Sequence, residues 1–350
     1  MNKFYSLKIK SIVRETKKAV SITFLVPSYL KSEFTFKSGQ YITLKTLING
    51  SEVRRDYSLS SSPKSGDLTI TVKEIEKGLF STYANNTLNP GDYIEVGIPN
   101  GRFIYEPQIA KKSSIVAFAA GSGITPIISI IKTALLANTD NEIILIYGNK
   151  SPEQTIFHNE LLDLQERNSD RFKIQFVYSE SDEEGAIFGR INIANVNYIL
   201  KNNIDLNSSH LFYLCGPEEM IKTTSRLLSE NGVQDDRILF ELFTSSKIPQ
   251  EKSAISDGKT EITLLVDEEK TTLLMSKSQT VLEVALENDI DAPYSCQGGV
   301  CSSCICRVTE GSAVMRQNNI LTDSEVNEGL VLSCQAEPTS SIIKVDFDDV

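Results

Sequence analysis

The sequence predicts a multidomain fold: an antiparallel β-barrel, then an α/β domain on a parallel sheet, then a smaller α+β domain. Three observations carry this. The first hundred residues alternate apolar and polar positions with period two between turn residues. The next stretch holds four continuous apolar runs separated by helical segments, the pattern of strands buried on both faces. The last part follows a polar, aperiodic segment and carries most of the cysteines. A chain of 350 residues has room for two or three domains. They are expected at 1–106, 107–244 and 261–350, with 245–260 as a linker.

In the first domain, residues 7–13, 19–26, 40–44 and 68–72 read as strands. Ser65-Gly66-Asp67, Asn89-Pro90-Gly91-Asp92 and Pro99-Asn100-Gly101 punctuate them. Short strands at regular spacing suggest a barrel, interrupted by one helix at 81–86, after Gly78. In the second domain the apolar runs 114–120, 143–147, 172–178 and 210–215 are the strands. Helices are expected at 126–137, 160–167, 191–202 and 220–231. Residues 113–137 are broken by only one charge, Lys132, and have the length of a membrane span. Gly121-Ser122-Gly123-Ile124-Thr125-Pro126 divides them into a strand and a helix instead. Residues 245–260 lack periodicity and read as linker. Beyond them, 261–266 opens a sheet, 281–288 is a helix and 342–347 closes the sheet.

Chemistry concentrates in Cys296-Gln297-Gly298-Gly299-Val300-Cys301-Ser302-Ser303-Cys304, followed far downstream by Cys334. C-x4-C-x2-C with a distant fourth cysteine is the plant-type [2Fe-2S] ligand spacing. Each iron takes two thiolates, and Gly298 and Gly299 let backbone N–H groups approach the sulfides. A zinc site would usually show two C-x2-C knuckles, and here there is one. A disulfide framework suits small secreted chains, whereas Met1-Asn2-Lys3-Phe4 runs straight into a strand without a signal peptide. Cys306 alternates with Cys304 along a strand and reads as a small buried residue. A plant-type cluster carries one electron at about −400 mV, so the rest of the chain should supply single electrons.

Arg55-Asp56-Tyr57-Ser58 follows a strand of the barrel. A tyrosine ring can lie against an isoalloxazine, a hydroxyl can bond its edge and an arginine can pair with a phosphate; a surface strand with an arginine is the plainer reading. Gly78-Leu79-Phe80-Ser81 enters a helix, where a pyrophosphate fits, which favours FAD over FMN; a turn and an N-cap are the alternative. In the second domain Gly121, Gly123, Thr125 and Pro126 lie where a buried strand turns into a helix, a place for a dinucleotide phosphate. Cys215-Gly216-Pro217 ends another strand at the same edge, so both turns should face one crevice. Cys215 can touch the nicotinamide there, or be a buried strand-end thiol.

Taken in order, these motifs and the four cysteines span nearly the whole chain. Their order resembles the ferredoxin–NADP reductase superfamily fused to a C-terminal plant-type ferredoxin, and in particular the reductase components of phenylacetyl-CoA monooxygenase and of ketosteroid hydroxylases. The resemblance implies an NAD(P)H-dependent oxidoreductase with a FAD-binding barrel, a nicotinamide domain and a β-grasp [2Fe-2S] domain. It implies that Arg55, Tyr57 and Ser58 hold the flavin, with Lys73, Gly78, Phe80 and Ser81 nearby. It sets Glu241 and Phe243 beside the isoalloxazine, which makes Ser58, Cys215 and Glu241 the catalytic candidates. Phe243 reads equally as the last core residue before the linker. Nicotinamide supplies two electrons at once, the cluster accepts one, and a flavin can divide the pair. The acceptor is then an oxygenase component, such as that of phenylacetyl-CoA monooxygenase in phenylacetate catabolism. A hybrid-cluster protein, a Rieske-type or ketosteroid hydroxylase, or a mainly structural place in an electron-transfer complex are the alternatives. His158 and His210 are expected to be structural.

The net charge is −11, and all of it falls in residues 261–350, with 16 Asp and Glu against 5 Lys and Arg. Solubility explains this plainly; an acidic docking face for a basic protein partner is the sharper reading. Nucleic acid is disfavoured as a partner of that face, no membrane partner is expected, and reduced cysteines suit the cytoplasm. For the nicotinamide, Ser179-Glu180 and the acids Asp182, Glu183 and Glu184 stand where a 2′-phosphate would need Arg or Lys. NADH is therefore favoured over NADPH, although Lys150 and Arg190 can offset the acids.

Overall fold

The alternation of the first hundred residues becomes a six-stranded antiparallel sheet: β1 (Phe4–Thr16), β2 (Ala19–Leu25), β3 (Tyr41–Ile48), β4 (Ser51–Ser58), β5 (Leu68–Lys73) and β6 (Tyr93–Gly97) in the order β4-β3-β6-β1-β2-β5. The computed structural model describes residues 3–107, 114–137, 141–206, 210–243 and 258–350. A bridge from Leu59, just past β4, to Ile70 in β5 joins the two sheet edges and closes the barrel. Its interior takes every second residue, among them Leu7, Ile9, Val20, Ile22, Phe24, Ile42 and Leu44. Helix α1 (Leu79–Asn86) begins two residues earlier than the pattern suggested and plugs the barrel with Phe80 and Ala84.

The four apolar runs are parallel strands, as expected, and two short strands extend them. Their bounds are β7 (Ser114–Ala120), β8 (Ile143–Asn149), β9 (Phe172–Tyr178), β10 (Ile187–Phe188), β11 (His210–Cys215) and β12 (Ile238–Glu241). The order β10-β9-β8-β7-β11-β12 reverses direction between β7 and β11, the switch point at which open α/β sheets bind ligands. Helices α2 (Ile124–Leu136), α3 (His158–Arg167), α4 (Ile193–Asn202) and α5 (Glu218–Glu230) cover the sheet. α2 is isoleucine-rich and buried around most of its circumference, so packing rather than propensity holds it helical.

Hydroxyls fasten this domain to the barrel. Ser129 Oγ on α2, fully buried, donates to the Ser61 carbonyl at 2.6 Å, and Ser62 Oγ meets Thr133 Oγ1 at 3.2 Å. Lys132 Nζ reaches the Ser60 carbonyl at 3.3 Å and pairs with Glu160 at 2.8 Å. Ser60, Ser61 and Ser62 directly follow β4, so one short segment ties the Arg55–Ser58 strand to the helix that begins at the Gly121 turn. Replacing Ser129 with alanine strands a buried carbonyl and should cost about 1–3 kcal/mol of stability. Chemical denaturation measures this, and a loss below about 0.5 kcal/mol, the range of ordinary surface substitutions, would show that the seam does not depend on that hydroxyl.

Residues 4–243 form one compact unit and the chain from 258 onward belongs to a second. The second unit holds β13 (Lys259–Val266), β14 (Glu269–Ser276), β15 (Ile305–Glu310), β16 (Ala313–Met315), β17 (Leu330–Leu332), β18 (Ala336–Pro338) and β19 (Ile342–Asp346). Five of these make a mixed sheet, β14-β13-β19-β15-β17, with α6 (Val281–Glu287) supplying Val281, Leu282, Val284 and Ala285 to its core, a β-grasp arrangement. Thr280 and Glu283 form a capping box at the start of α6, and Thr322 with Glu325 repeats it at α7 (Asp323–Asn327). Of the expected linker, 245–257 lies outside the described residues; β13 already begins at Lys259. Among the described residues no helix is long and apolar enough to cross a membrane.

Candidate functional site

The two turns at the switch point touch backbone to backbone. A Cβ on Gly123 would lie 2.0 Å from the Cys215 carbonyl oxygen, so only glycine lets the turn after β7 close on the turn after β11. Gly121 opens the turn and its carbonyl accepts the Tyr147 hydroxyl at 2.9 Å. Thr125 and Pro126 are buried in the first turn of α2, and Gly216 and Pro217 lead into α5. The barrel adds a cation: Lys73 Nζ lies 3.3 Å from where a Cβ on Gly121 would be. Burial, reinforced by Lys150 and Lys18, lowers the pKa of Lys73, so an anion placed there would be welcome. The mouth of this crevice therefore combines small backbone turns, a helix start and a desolvated ammonium, which fits a dinucleotide phosphate.

Ser58, Cys215 and Glu241 converge beside it. Ser58 Oγ donates to Glu241 Oε2 at 3.1 Å, and Cys215 sits opposite Glu241 in the β11–β12 register. Desolvation raises the Glu241 carboxyl to about 8; the Ser58 bond opposes the shift and the Asp56 charge adds to it. Cys215 is fully buried, and burial, followed by the Glu241 charge, keeps it a thiol. Tyr57 packs on Phe80 with ring centroids 5.3 Å apart, and burial holds its phenol protonated. Phe80 itself is part of the barrel core and backs Tyr57 rather than facing solvent. Arg55 is exposed and donates to the Arg54 carbonyl at 2.6 Å. Ser81 turns inward: its hydroxyl accepts from the Ile75 amide at 3.2 Å and donates to the Gly78 carbonyl at 3.4 Å, fixing the α1 entry turn. Phe243 is 38% exposed, so it is not a core residue.

In the second unit the four cysteines form two pairs. Cys296 and Cys301 have sulfurs 3.1 Å apart, Cys304 and Cys334 3.4 Å apart. None of the six cysteines is in a disulfide. Among the described residues no three or more His, Cys, Asp or Glu gather as one mononuclear metal would require; paired thiols are what a two-iron cluster needs. The loop is built around that purpose. The Ser333 amide donates to the Cys304 carbonyl at 2.9 Å, which brings the fourth cysteine to the first three. Gly299 has φ 68°, and the Gly298 amide donates to Cys296 Sγ at 3.4 Å. Ser295 Oγ and Ser333 Oγ, each next to a cysteine, are buried without a protein partner, and cluster sulfur would satisfy them. The residues fit a [2Fe-2S] cluster. Cys306 is fully buried with its thiol toward the Val331 carbonyl at 3.7 Å.

Comparison with known proteins agrees with this geometry. Three family models match: the oxidoreductase FAD-binding domain over residues 6–105, the oxidoreductase NAD-binding domain over 118–226, and the 2Fe-2S iron–sulfur cluster binding domain over 264–339. Fold and sites thus define an NAD(P)H-dependent flavoprotein oxidoreductase that carries its own iron–sulfur domain. The chain is 35% identical to one component of the 1,2-phenylacetyl-CoA epoxidase of Escherichia coli K12, over 99% of each chain. It is 31% identical to the ferredoxin reductase component of 3-ketosteroid-9-alpha-monooxygenase from Rhodococcus rhodochrous, over 97% of this chain and 96% of that one. The structure of phthalate dioxygenase reductase shares the fold, with a TM-score of 0.62 at 24% identity over 98% of each chain. The chain belongs to the ferredoxin–NADP reductase superfamily, in the group that ends in a plant-type ferredoxin domain. Its relatives are reductase components of oxygenase systems, so its partner is a redox protein.

Proposed function

We propose that the protein is the cytoplasmic reductase of an oxygenase acting on a coenzyme A thioester of phenylacetate, and that it draws its electrons from NADH. The observation that carries the reading is the pair of built sites on one chain: Ser58, Cys215 and Glu241 at the dinucleotide crevice, and two thiol pairs in the C-terminal unit. The 35% identity to a phenylacetyl-CoA epoxidase component over the full length supports the acceptor. Bound FAD would supply the exchange between a two-electron nicotinamide donor and a one-electron cluster.

In this reading Arg55, Tyr57 and Ser58 orient the flavin from β4, and Gly78, Phe80 and Ser81 shape the turn beside it. Gly121, Gly123, Thr125 and Pro126 with Gly216 and Pro217 receive the nicotinamide dinucleotide, and Lys73 neutralises phosphate charge. Ser58 Oγ donates its proton to Glu241 Oε2, Cys215 is buried beside Glu241, and the exposed Phe243 ring would be available to an aromatic cofactor. Cys296 with Cys301 would hold one iron and Cys304 with Cys334 the other. Reconstitution with a purified phenylacetyl-CoA epoxidase oxygenase component tests the acceptor: substrate-dependent NADH oxidation is expected, and turnover only with an unrelated acceptor would reject it.

Lys150 is engaged with Glu180 at 2.8 Å, so it is not available to a 2′-phosphate without losing that pair. The expected catalytic efficiency is higher with NADH than with NADPH. A higher value with NADPH in steady-state assays would reverse the assignment.

The C-terminal unit keeps its acidic surplus in the fold. Three of the five basic residues in 261–350 are spent on local ion pairs, Arg307 with Asp349, Arg316 with Glu337 and Lys344 with Glu310. Glu310 ends β15, which follows the cluster motif, and pairs with Lys344, while Asp289 and Asp291 lie within a few residues of the cysteine loop. We infer that this acidity steers a basic partner face. Electron delivery to the acceptor should slow as salt rises, because the Debye length is about 10 Å at 0.1 M. Flavin reduction by NADH should change much less. Stopped-flow rates at low and high salt decide, and a flat response of the delivery step would leave the acids as solubility chemistry.

A further inference from the structure

We propose that Gln335 sets the potential of the iron–sulfur cluster through a side-chain hydrogen bond to its fourth ligand; this rests on the [2Fe-2S] reading of the cysteine loop. Gln335 follows Cys334 and is nearly buried, at 8% exposure. Its amide nitrogen lies 3.2 Å from the Gln297 carbonyl oxygen and 3.5 Å from Cys334 Sγ. A backbone carbonyl only accepts, so the nitrogen end must face this way, and its two N–H groups serve one acceptor each. The side chain has little freedom to leave. Its backbone amide donates to the Leu332 carbonyl at 2.8 Å, and its carbonyl accepts the Arg316 amide at 2.9 Å. The stem is pressed against Gly299, where a Cβ would stand 3.1 Å from Gln335 Cγ.

The same contact secures the loop. Gln297 has φ 52°, a left-handed conformation that a non-glycine residue holds only when its surroundings fix it, and the Gln335 amide is what grips its carbonyl. One side chain thus clamps the loop of the first ligand and donates to the sulfur of the last. A reduced cluster carries one more negative charge than an oxidised one. An N–H directed at a ligand sulfur stabilises that charge and raises the potential. Gly298 N–H does the same for Cys296, but that donor is backbone, present for any side chain. Gln335, by contrast, is a side-chain donor that the sequence can change.

The test is the one-electron midpoint potential of the cluster in the whole protein, by redox titration followed by electron paramagnetic resonance. Gln335→Met keeps the length of the side chain and removes both N–H groups. It should shift the one-electron equilibrium about tenfold toward the oxidised cluster, a fall of about 59 mV, with iron and sulfide content unchanged. An unchanged potential at full cluster content would overturn the proposal. If Gln335→Met loses its cluster, wild-type protein grown with side-chain-amide 15N glutamine decides: a 15N coupling to the reduced cluster is expected in pulsed resonance spectra, and its absence overturns the proposal. Wild-type protein without iron and sulfide would instead refute the cluster reading itself.

Discussion

Replacing Cys304 with serine is expected to cut one-electron delivery to the partner roughly 100-fold or more while leaving reduction of the flavin by NADH intact. Residues that merely support metal ligands typically contribute 10–100-fold, and a ligand contributes more. Cys304 is almost fully buried against Cys334, so serine brings a hard oxygen to a place shaped for two sulfurs. The flavin and nicotinamide sites belong to residues 4–243 and the cysteine to the other unit, which is why the two half-reactions should separate. Cys306→Ser is the control. Its thiol faces the Val331 carbonyl, so that variant should keep its iron. Iron analysis with stopped-flow spectroscopy of both half-reactions makes the measurement, and a Cys304→Ser protein with full iron and full delivery would sink the ligand assignment.

The second large effect is expected at Glu241. Removing the carboxyl in Glu241→Ala should slow hydride transfer to the flavin by about 100-fold, the low end of what a placed acid or base contributes, at unchanged flavin content. Glu241 holds its proton up to about pH 8. The wild-type transfer rate should therefore change across pH 8, and Glu241→Gln, neutral at every pH and of the same shape, should lose that inflection. Stability gives an independent readout. Between the ordinary carboxylate pKa of 4.5 and about 8, the unfolded chain has lost this proton while the folded chain keeps it. The unfolded state binds fewer protons there, so the contribution of Glu241 to stability falls as pH rises and levels off above 8. Glu241→Gln removes that slope. An inflection that survives in the glutamine variant would assign it to another group.

Much of this architecture is legible in sequence because it is local. Residues 114–120 announce a doubly buried strand by having no polar side, and the C-x4-C-x2-C spacing is set by what a cluster can accept. What escaped is what distance or brevity hides. β10 has two residues and β12 four, too short for any period. The Ser58–Glu241 bond joins residues 183 apart, and only the packing of the end of β4 against β12 brings them together. The Ser60–Ser62 seam looks in sequence like a loop, because a hydroxyl that crosses to another element leaves no local mark. Ser81 reads in sequence as an anion-binding hydroxyl or an N-cap; its proton is engaged by the Gly78 carbonyl inside the α1 entry turn, a bond that spacing alone does not reveal. Gln335 carries no motif at all; its meaning comes from the left-handed Gln297 across the loop.

One chain should take a hydride's two electrons in its first unit and offer them singly from its second. Anaerobic titration of the purified protein with NADH, followed together by visible absorbance and electron paramagnetic resonance, tests it most directly. Flavin absorbance should bleach and a reduced [2Fe-2S] signal should grow from the same NADH, in a protein that releases FAD on denaturation. Flavin bleaching with no cluster signal from iron-replete protein would contradict it.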